Sequence, residues 1–422
     1  MEEENYKQKR IVTAFESLFN RKDNQNKATE TLGFRDPLSH TENLKQDGIT
    51  ARLSFLKSQR DVSLAALTSS NKKVDLDVFD GNIENYIGLS TIPTGVIGPV
   101  KVEGAFAKGD YFVPLATSEG ALVASYHRGA KACHLAGGVT SICLAEGVQR
   151  SPVFKFPTLD ELGVFVSWLL KQTKTFKSIT QQSSRFAKLL DVRVNIEGNH
   201  LIVTFEYFTG DAAGQNMVTF CTDEICKFII SNAPVKPEFW FIESNYAGDK
   251  KATTLSYTHV RGKKVTAEIV LPEAIVKKVL RTTPKKMEEY WRTSTLGIVQ
   301  SGAIGAQGHF ANGLAALFIA TGQDVACVSE ASTGITRMER TDSGDLYASV
   351  TLSNLIVGTV GGGTGMPTQK ECLALMDCQG EGSANKYAEI CGAVLLGGEL
   401  SIAAALSAGH FAGAHKKLGR KK

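Results

Sequence analysis

The segment Glu243-Ser244-Asn245-Tyr246-Ala247-Gly248-Asp249-Lys250-Lys251 sets an Asn, an Asp and two lysines in a loop punctuated by Gly and Ala between apolar runs. A lysine held there is a candidate electrophile for a carbonyl oxygen. Its ammonium is a compact cation whose protonation responds to its neighbours, and an adjacent carboxylate keeps it charged and aimed. Taken alone, the segment also reads as a solvated Asp-Lys pair. A second candidate is Gly210-Asp211-Ala212-Ala213-Gly214-Gln215-Asn216-Met217, a flexible loop opening onto a predicted helix. Free backbone N–H groups and the helix dipole there suit an anion, although a plain strand-to-helix turn is the simpler reading. Gly358-Thr359-Val360-Gly361-Gly362-Gly363-Thr364-Gly365 is a third, where backbone can approach a phosphate or a nicotinamide unobstructed by side chains. Neither loop has the GxGxxG spacing of a Rossmann unit. Cys133 stands beside His134, but adjacent residues on a helix or strand point different ways, which argues against a thiol nucleophile there.

The elements that must position these loops follow from changes in period. Residues 152–243 read strand (Val153 to Phe156), helix (Leu159 to Leu170), strand (Val192 to Ile196), turn (Glu197-Gly198-Asn199), strand (Leu201 to Phe208), helix (Met217 to Ile230), strand (Phe239 to Ile242). That βαββαβ order is the split βαβ or ferredoxin-like unit. Residues 1–60 are polar and mostly helical in pattern, broken at Asp23 to Ala28 and at Asp36-Pro37, and read as a small N-terminal helical cap. Residues 61–151 alternate short apolar runs with Gly and Pro, followed by a predicted helix from Glu119 to Leu135. The Gly-rich style resumes over 244–400, where Gly302, Gly305, Gly308 and Gly313 predict a long helical run that lets neighbours approach closely, a central buried strut. Residues 401–422 read as a C-terminal helix ending in a basic tail. The fold class read from these periods is α+β, with a ferredoxin-like unit over 152–243.

Composition bounds the function. With 422 residues, 43% apolar and 21% charged, the chain has room for two or three domains around a sizeable core. A formal charge of +4 is too small, and too concentrated in the last residues, to argue for nucleic acid. The Met-Glu-Glu-Glu-Asn start has no apolar stretch behind it, so no signal peptide is expected. The apolar stretches Phe310 to Thr321 and Ile390 to His415 are interrupted by Asn312 or by Glu399 and His410, and read as buried helices instead of membrane spans. Eight cysteines without CxxC or paired Cys/His spacing imply a reducing compartment and no structural zinc.

Several segments together resemble the 3-hydroxy-3-methylglutaryl-coenzyme A reductase family, in the soluble catalytic portion of its eukaryote-like class. They are Glu84-Asn85-Tyr86-Ile87-Gly88, Pro93 to Pro99, Ala116 to Ser125, Asp211 to Met217, Asp249-Lys250-Lys251, Gly322-Gln323-Asp324, Gly358 to Thr364 and Ala408-Gly409-His410, in family order over roughly residues 75–415. The resemblance implies reduction of a CoA thioester to mevalonate with two hydrides from two nicotinamide cofactors, and a large mixed α/β substrate domain around a long central helix, with the ferredoxin-like unit inserted into it as a dinucleotide-binding domain of non-Rossmann type. Such a site stabilises an oxyanion twice and protonates a departing thiolate once.

By motif, Lys250 resembles the lysine that binds the carbonyl oxygen, and Asp324 the carboxylate that holds it. Glu119 resembles the proton donor to the aldehyde-level oxygen; a glutamic acid acting so must be protonated, which burial or a nearby carboxylate favours. His415 resembles the C-terminal histidine that protonates the CoA thiolate, a task suited to imidazole near neutrality, and the resemblance makes residues 401–422 a C-terminal helix and mobile flap. Ser125, Arg128, Arg150, Asn245, Asp249, Lys251 and Asn312 match substrate positions, and Ser184-Arg185-Phe186, Asp211 to Met217 and Val360-Gly361-Gly362 match cofactor positions. Arg185 could pair with a 2′-phosphate, which favours NADPH over NADH. The resemblance further implies coenzyme A as part of substrate and product, no metal, a homodimer or homotetramer with its site shared between subunits, no membrane anchor in this chain and a cytoplasmic location. His127 in place of Asn, Ala213 and Gln215 in place of methionines and Ala414 in place of serine depart from the family pattern. Competing readings are an NAD-dependent enzyme of mevalonate breakdown, a thioester transferase using Cys133 or Cys143, and a non-catalytic CoA-binding protein.

Overall fold

Strand and helix periods in the chain sort into two packed units in the computed structural model, which describes residues 6–19, 46–68 and 76–409. The N-terminal helices α1 (Tyr6–Phe19), α2 (Gln46–Gln59) and the single turn α3 (Ala65–Thr68) lead into a hairpin, β1 (Thr94–Gly104) and β2 (Lys108–Ala116). Helix α4 (Leu122–Leu135) and the long strand β3 (Val139–Arg150) follow. The first helices are held by the body they cover. Leu56 beyond the middle of α2 and Leu64 pack with Phe112 of β2, and Arg10 of α1 pairs with Glu146 of β3.

The second unit runs β4 (Val153–Lys155), α5 (Leu159–Leu169), α6 (Thr173–Ser183), β5 (Lys188–Glu197), β6 (His200–Phe208), α7 (Gln215–Asn232) and β7 (Phe239–Phe241). Its strands lie β7-β4-β6-β5, every pair antiparallel, the spatial order of a ferredoxin-like sheet. Phe154, Leu201, Val203 and Phe205 form one side of its core, and Phe165, Phe176, Ile225 and Ile229 of the helices form the other. Thr158 begins α5 by accepting the Glu161 N–H at 3.3 Å, a side-chain cap at the helix start. Three features differ from the sequence expectation. An additional helix, α6, fills residues 173–183, anchored by Phe176 and Thr180. Strand β5 begins at Lys188 instead of Val192, because a register shift between Leu189 and Asp191 interrupts the period-two pattern there. The unit's sheet also reaches back before 152: Val148, Gln149 and Arg150 at the end of β3 pair with Tyr207, Glu206 and Phe205 of β6.

The chain then returns through α8 (Leu255–Thr258), β8 (Gly262–Leu271), α9 (Glu273–Ile275), α10 (Pro284–Ser301), α11 (Phe310–Thr321), α12 (Val328–Ala331), β9 (Gly334–Arg340), β10 (Leu346–Leu355), α13 (Pro367–Leu375) and α14 (Ala384–Ser407). The large sheet is ordered β2-β1-β3-β8-β10-β9 and joins the smaller one through β3. Helix α14, 24 residues long, is the central helix. Among the described residues it alone is long and apolar enough to cross a membrane, and 83% of that apolar stretch is buried inside the protein, as in a core helix. The glycine run at 302–313 is not the strut expected. Gly302 ends α10 in the left-handed conformation and Gly305 has φ +98° in the following loop; a new helix starts at Phe310. The close approach falls instead where α4 crosses α14: a Cβ on Gly129 would lie 1.8 Å from the Gly397 carbonyl oxygen. A C-terminal division at 401 falls inside α14, which is continuous to Ser407.

Candidate active site

Lys250 is presented by a tight loop between β7 and α8. Asn245, Gly248 and Lys250 all take positive φ, at 64°, 73° and 57°, and the Lys251 N–H donates to the Gly248 carbonyl at 3.1 Å. Buried Ala247 and Gly248 seat the loop while Lys250 projects outward. Its Nζ lies 3.1 Å from Asp324 Oδ2, both side chains being nearly half exposed. Asp324 sits two residues beyond the left-handed Gly322 that ends α11, and its other oxygen accepts the Ala326 N–H at 3.0 Å. The hydrogen bond to Asp324 raises the Lys250 pKa above its ordinary value despite some opposing desolvation, so the ammonium stays charged.

Asp249 and Arg150 belong to the scaffold under that lysine. The Asp249 carboxylate accepts from Arg261 Nη2 at 2.6 Å and Arg150 Nη1 at 3.5 Å. Arg150 also reaches Glu243 at 3.0 Å. Arg261, 2% exposed, donates to Glu330 at 2.7 Å and to the Gln149 carbonyl at 3.1 Å. Burial pushes the Glu330 carboxyl upward, and Arg261 opposes it. Lys251 folds back onto Asn245 Oδ1 at 3.2 Å and the Asp249 carbonyl at 3.0 Å. Arg261, Glu330 and Glu243 carry no local sequence signal, since their partners lie in distant segments.

Glu119 lies in the turn between β2 and α4, not in the helix expected from 119. The helix begins at Leu122 after Ala121, held at φ 72°. Glu119 Oε2 accepts from Asn312 Nδ2 at 2.8 Å, so a proton-donor candidate and a substrate-binding candidate are adjacent. Ser125 and Arg128, one turn apart on α4, converge on Ser401 of α14: the two hydroxyls are 2.9 Å apart, and the guanidinium donates to the Ser401 carbonyl at 2.7 Å. Burial and then the charge of Arg281 lower the Arg128 pKa, which identifies Arg281 as a second cation at this end that motif reading missed.

The cofactor candidates from two regions meet. Ala212 and Val360 form a parallel bridge, and the Thr359 N–H donates to the Asp211 carbonyl at 2.8 Å. The Asp211 carboxylate accepts the Gly382 and Ala384 N–H groups at 2.7 and 3.0 Å, capping the start of α14. Gly214 (φ 85°) turns the chain into α7, whose first residues are Gln215, Asn216 and Met217. Gly361 and Gly362 have positive φ and are exposed beside them. The amide of Gln323 pairs with both backbone groups of Gly358 at 2.9 Å, and Gly322 packs so closely on Gly363 that a Cβ would lie 2.2 Å from its oxygen. Asp324 is thereby fixed against the glycine-rich segment. The β5–β6 register pairs Lys188 with Phe208, bringing Ser184-Arg185-Phe186 to the same end. There the Ser184 hydroxyl accepts the Phe186 N–H at 3.2 Å, and Arg185 lies 5.7 Å over the Phe186 ring.

His410 and His415 lie outside the described residues. Among the described residues no group of three His, Cys, Asp or Glu side chains is placed to hold a metal ion. All eight cysteines are free and buried; burial pushes Cys133 up to about 12 and raises Cys143 as well.

The family model described as hydroxymethylglutaryl-coenzyme A reductase matches residues 48–420. The 3-hydroxy-3-methylglutaryl-coenzyme A reductase of Pyrococcus abyssi is 44% identical over 351 residues, covering 80% of this chain and 85% of that one. The Aeropyrum pernix protein of the same name is 40% identical over 384 residues, covering 90% of each. A class II reductase from Streptococcus pneumoniae, solved bound to NADPH, superposes with a TM-score of 0.67 at 21% identity over 85% of this chain and 96% of that one, and so shares the fold. On the family model and these relatives, the chain belongs to the hydroxymethylglutaryl-coenzyme A reductase family.

Proposed function

We infer that this protein reduces 3-hydroxy-3-methylglutaryl-CoA to mevalonate and CoA with two molecules of NADPH. The observation that carries the reading is the Lys250–Asp324 ion pair, set directly against the joined 211–217 and 358–363 segments. NADPH supplies hydride when bound, twice per turnover. The residues that would hold it are Ser184 to Phe186, Asp211 to Met217 and Val360 to Gly362, where exposed glycine backbone leaves room for a flat ring and phosphates.

The chain's own groups divide the remaining work. Lys250 stays charged beside Asp324 and stabilises negative charge developing on the thioester carbonyl oxygen, then on the aldehyde oxygen. Glu119, aimed by Asn312, delivers a proton to the aldehyde-level oxygen. His415 protonates the departing CoA thiolate. Ser125 and Arg128 on α4, with Asn245, Lys251 and Asn312, bind substrate carboxylate and CoA oxygens. Arg150 and Asp249 act beneath them, fixing the Lys250 loop through Arg261 and Glu330.

The working form is a cytoplasmic homo-oligomer with a site shared between subunits. Ile83, Ile87, Leu89 and Ile92 are exposed along one segment, Ile87 completely, a contiguous apolar stretch of the kind a partner subunit covers. The deeply buried Cys133 and Cys143, both raised in pKa, are poor thiolate nucleophiles, which disfavours a thioester transferase. The test is NADPH oxidation with hydroxymethylglutaryl-CoA, with two cofactors consumed per mevalonate formed and the NADH rate measured alongside. A folded wild-type protein that oxidises neither cofactor refutes the assignment.

A further inference from the structure

Gln215 opens α7 and lies where the cofactor segment meets the catalytic ion pair. Its Nε2 is 3.4 Å from Asp324 Oδ2, the oxygen that also holds Lys250 Nζ at 3.1 Å, and 2.9 Å from the Cys327 sulfur. Its backbone carbonyl accepts from Arg150 Nη2 at 3.3 Å. These contacts close a ring. Lys250 meets Asp324, Asp324 meets Gln215, and Gln215 meets the Cys327 thiol, whose pKa is raised by burial and then by the charge of Glu330. Glu330 pairs with Arg261 and Arg261 with Asp249, the residue that precedes Lys250. Arg150 crosses the ring from Asp249 to the Gln215 carbonyl. Among these members Gln215 alone comes from the 211–217 segment, so through it a shift of that segment reaches the Lys250 ammonium.

We propose that Gln215 is a positioning residue that ties the cofactor segment to the Lys250–Asp324 pair through its side-chain amide. The proposal rests on the reductase reading, and it is specific to an amide. A methionine of similar length cannot donate to Asp324, and an ionised carboxylate in that place repels it. The amide sets the orientation of Asp324, hence of Lys250, so its loss is expected in the chemical step more than in thioester binding.

The experiment compares Gln215→Met and Gln215→Glu with wild type in steady-state reduction of hydroxymethylglutaryl-CoA from pH 5.5 to 8. Thermal melting and titration of NADPH by its fluorescence accompany the kinetics. Gln215→Met is expected to lower kcat about ten- to a hundredfold, from loss of a hydrogen bond to a charged group, with the thioester KM within about twofold. The melting temperature should be unchanged. Gln215→Glu is expected to lose more at pH 8 and to recover relative to wild type toward pH 5.5, where protonation gives the introduced carboxyl a donor. Combined with Asp324→Asn, Gln215→Met should cost little more than Asp324→Asn alone, the non-additivity of residues acting in one unit. Wild-type kcat in Gln215→Met, full additivity, a pH-independent Gln215→Glu defect, or losses that track a fallen melting temperature would each overturn the proposal. A wild type without reductase activity would instead overturn the functional reading itself.

Discussion

Lys250 is a non-glycine residue held at φ 57°, a left-handed conformation that costs an L-residue roughly 1 kcal/mol. Its ion pair with Asp324 is half exposed, and such pairs return little stability. The fold therefore has no evident stability reason to keep a lysine here; the conformation aims the ammonium. Replacing Lys250 with glycine should relieve the backbone and raise stability by up to about 1 kcal/mol while removing reductase activity. Lys250→Ala should remove activity without the gain. Denaturant unfolding of the three proteins checks this, and a Lys250→Gly protein less stable than wild type would show that the ion pair outweighs the strain. Asp249 and Arg150 differ in kind from their neighbour: their charges are satisfied by Arg261 and Glu243, so their removal should damage the loop before it damages the chemistry.

At the scale of elements, α4 and α14 are packed backbone to backbone at Gly129 and Gly397, and the same face carries Ser125 and Arg128 onto Ser401. Gly129→Ala forces the two helices apart, so a loss of about 2 kcal/mol or more is expected, as for overpacking of a tight core, together with a raised KM for the CoA thioester. Gly163 is the control: it is exposed in α5, and a Cβ added there would meet nothing within 4 Å. Gly163→Ala should stabilise by up to about 1 kcal/mol, the helix propensity difference. Melting curves of both variants decide it, and a neutral Gly129→Ala would mean the crossing can relax. The ferredoxin-like order was legible because its strands alternate cleanly and its turns carry Gly and Asn. Helix α6 was not, since its buried side is only Phe176 and Thr180 in a polar stretch. The 302–313 glycines misled because spacing of three to five fits helix packing and a looped chain reversal equally. The Lys250–Asp324 pairing was legible by motif. The Arg150–Asp249–Arg261–Glu330 network was not, because its members are brought together from β3, the 244–251 loop, the residue before β8, and α12.

At the scale of the molecule, Glu119 and Lys250 attach to opposite ends of one helix. Glu119 is bonded to Asn312 in the first turn of α11, and Lys250 to Asp324 beyond its last residue, Thr321. Nine residues of helix separate Asn312 from Thr321, about 14 Å at 1.5 Å per residue. Two groups that must both reach one carbonyl oxygen within hydrogen-bonding distance are thus held apart within a single chain. Pairing of two copies, with the Glu119 end of one facing the Lys250 end of the other, would remove the difficulty and could cover the exposed apolar segment from Ile83 to Ile92. The consequence is countable. Glu119→Gln and Lys250→Ala proteins should each be inactive alone. After subunit exchange in equal amounts, half of a dimer population is mixed, and each mixed dimer has one intact site of two, so activity should return to about a quarter of wild type for a two-fold symmetric dimer. Exchange is verified by native mass spectrometry of differently tagged subunits. If mixed dimers form and activity stays at the background of the parents, Glu119 and Lys250 act within one chain, and α11 would have to move or bend to bring them together.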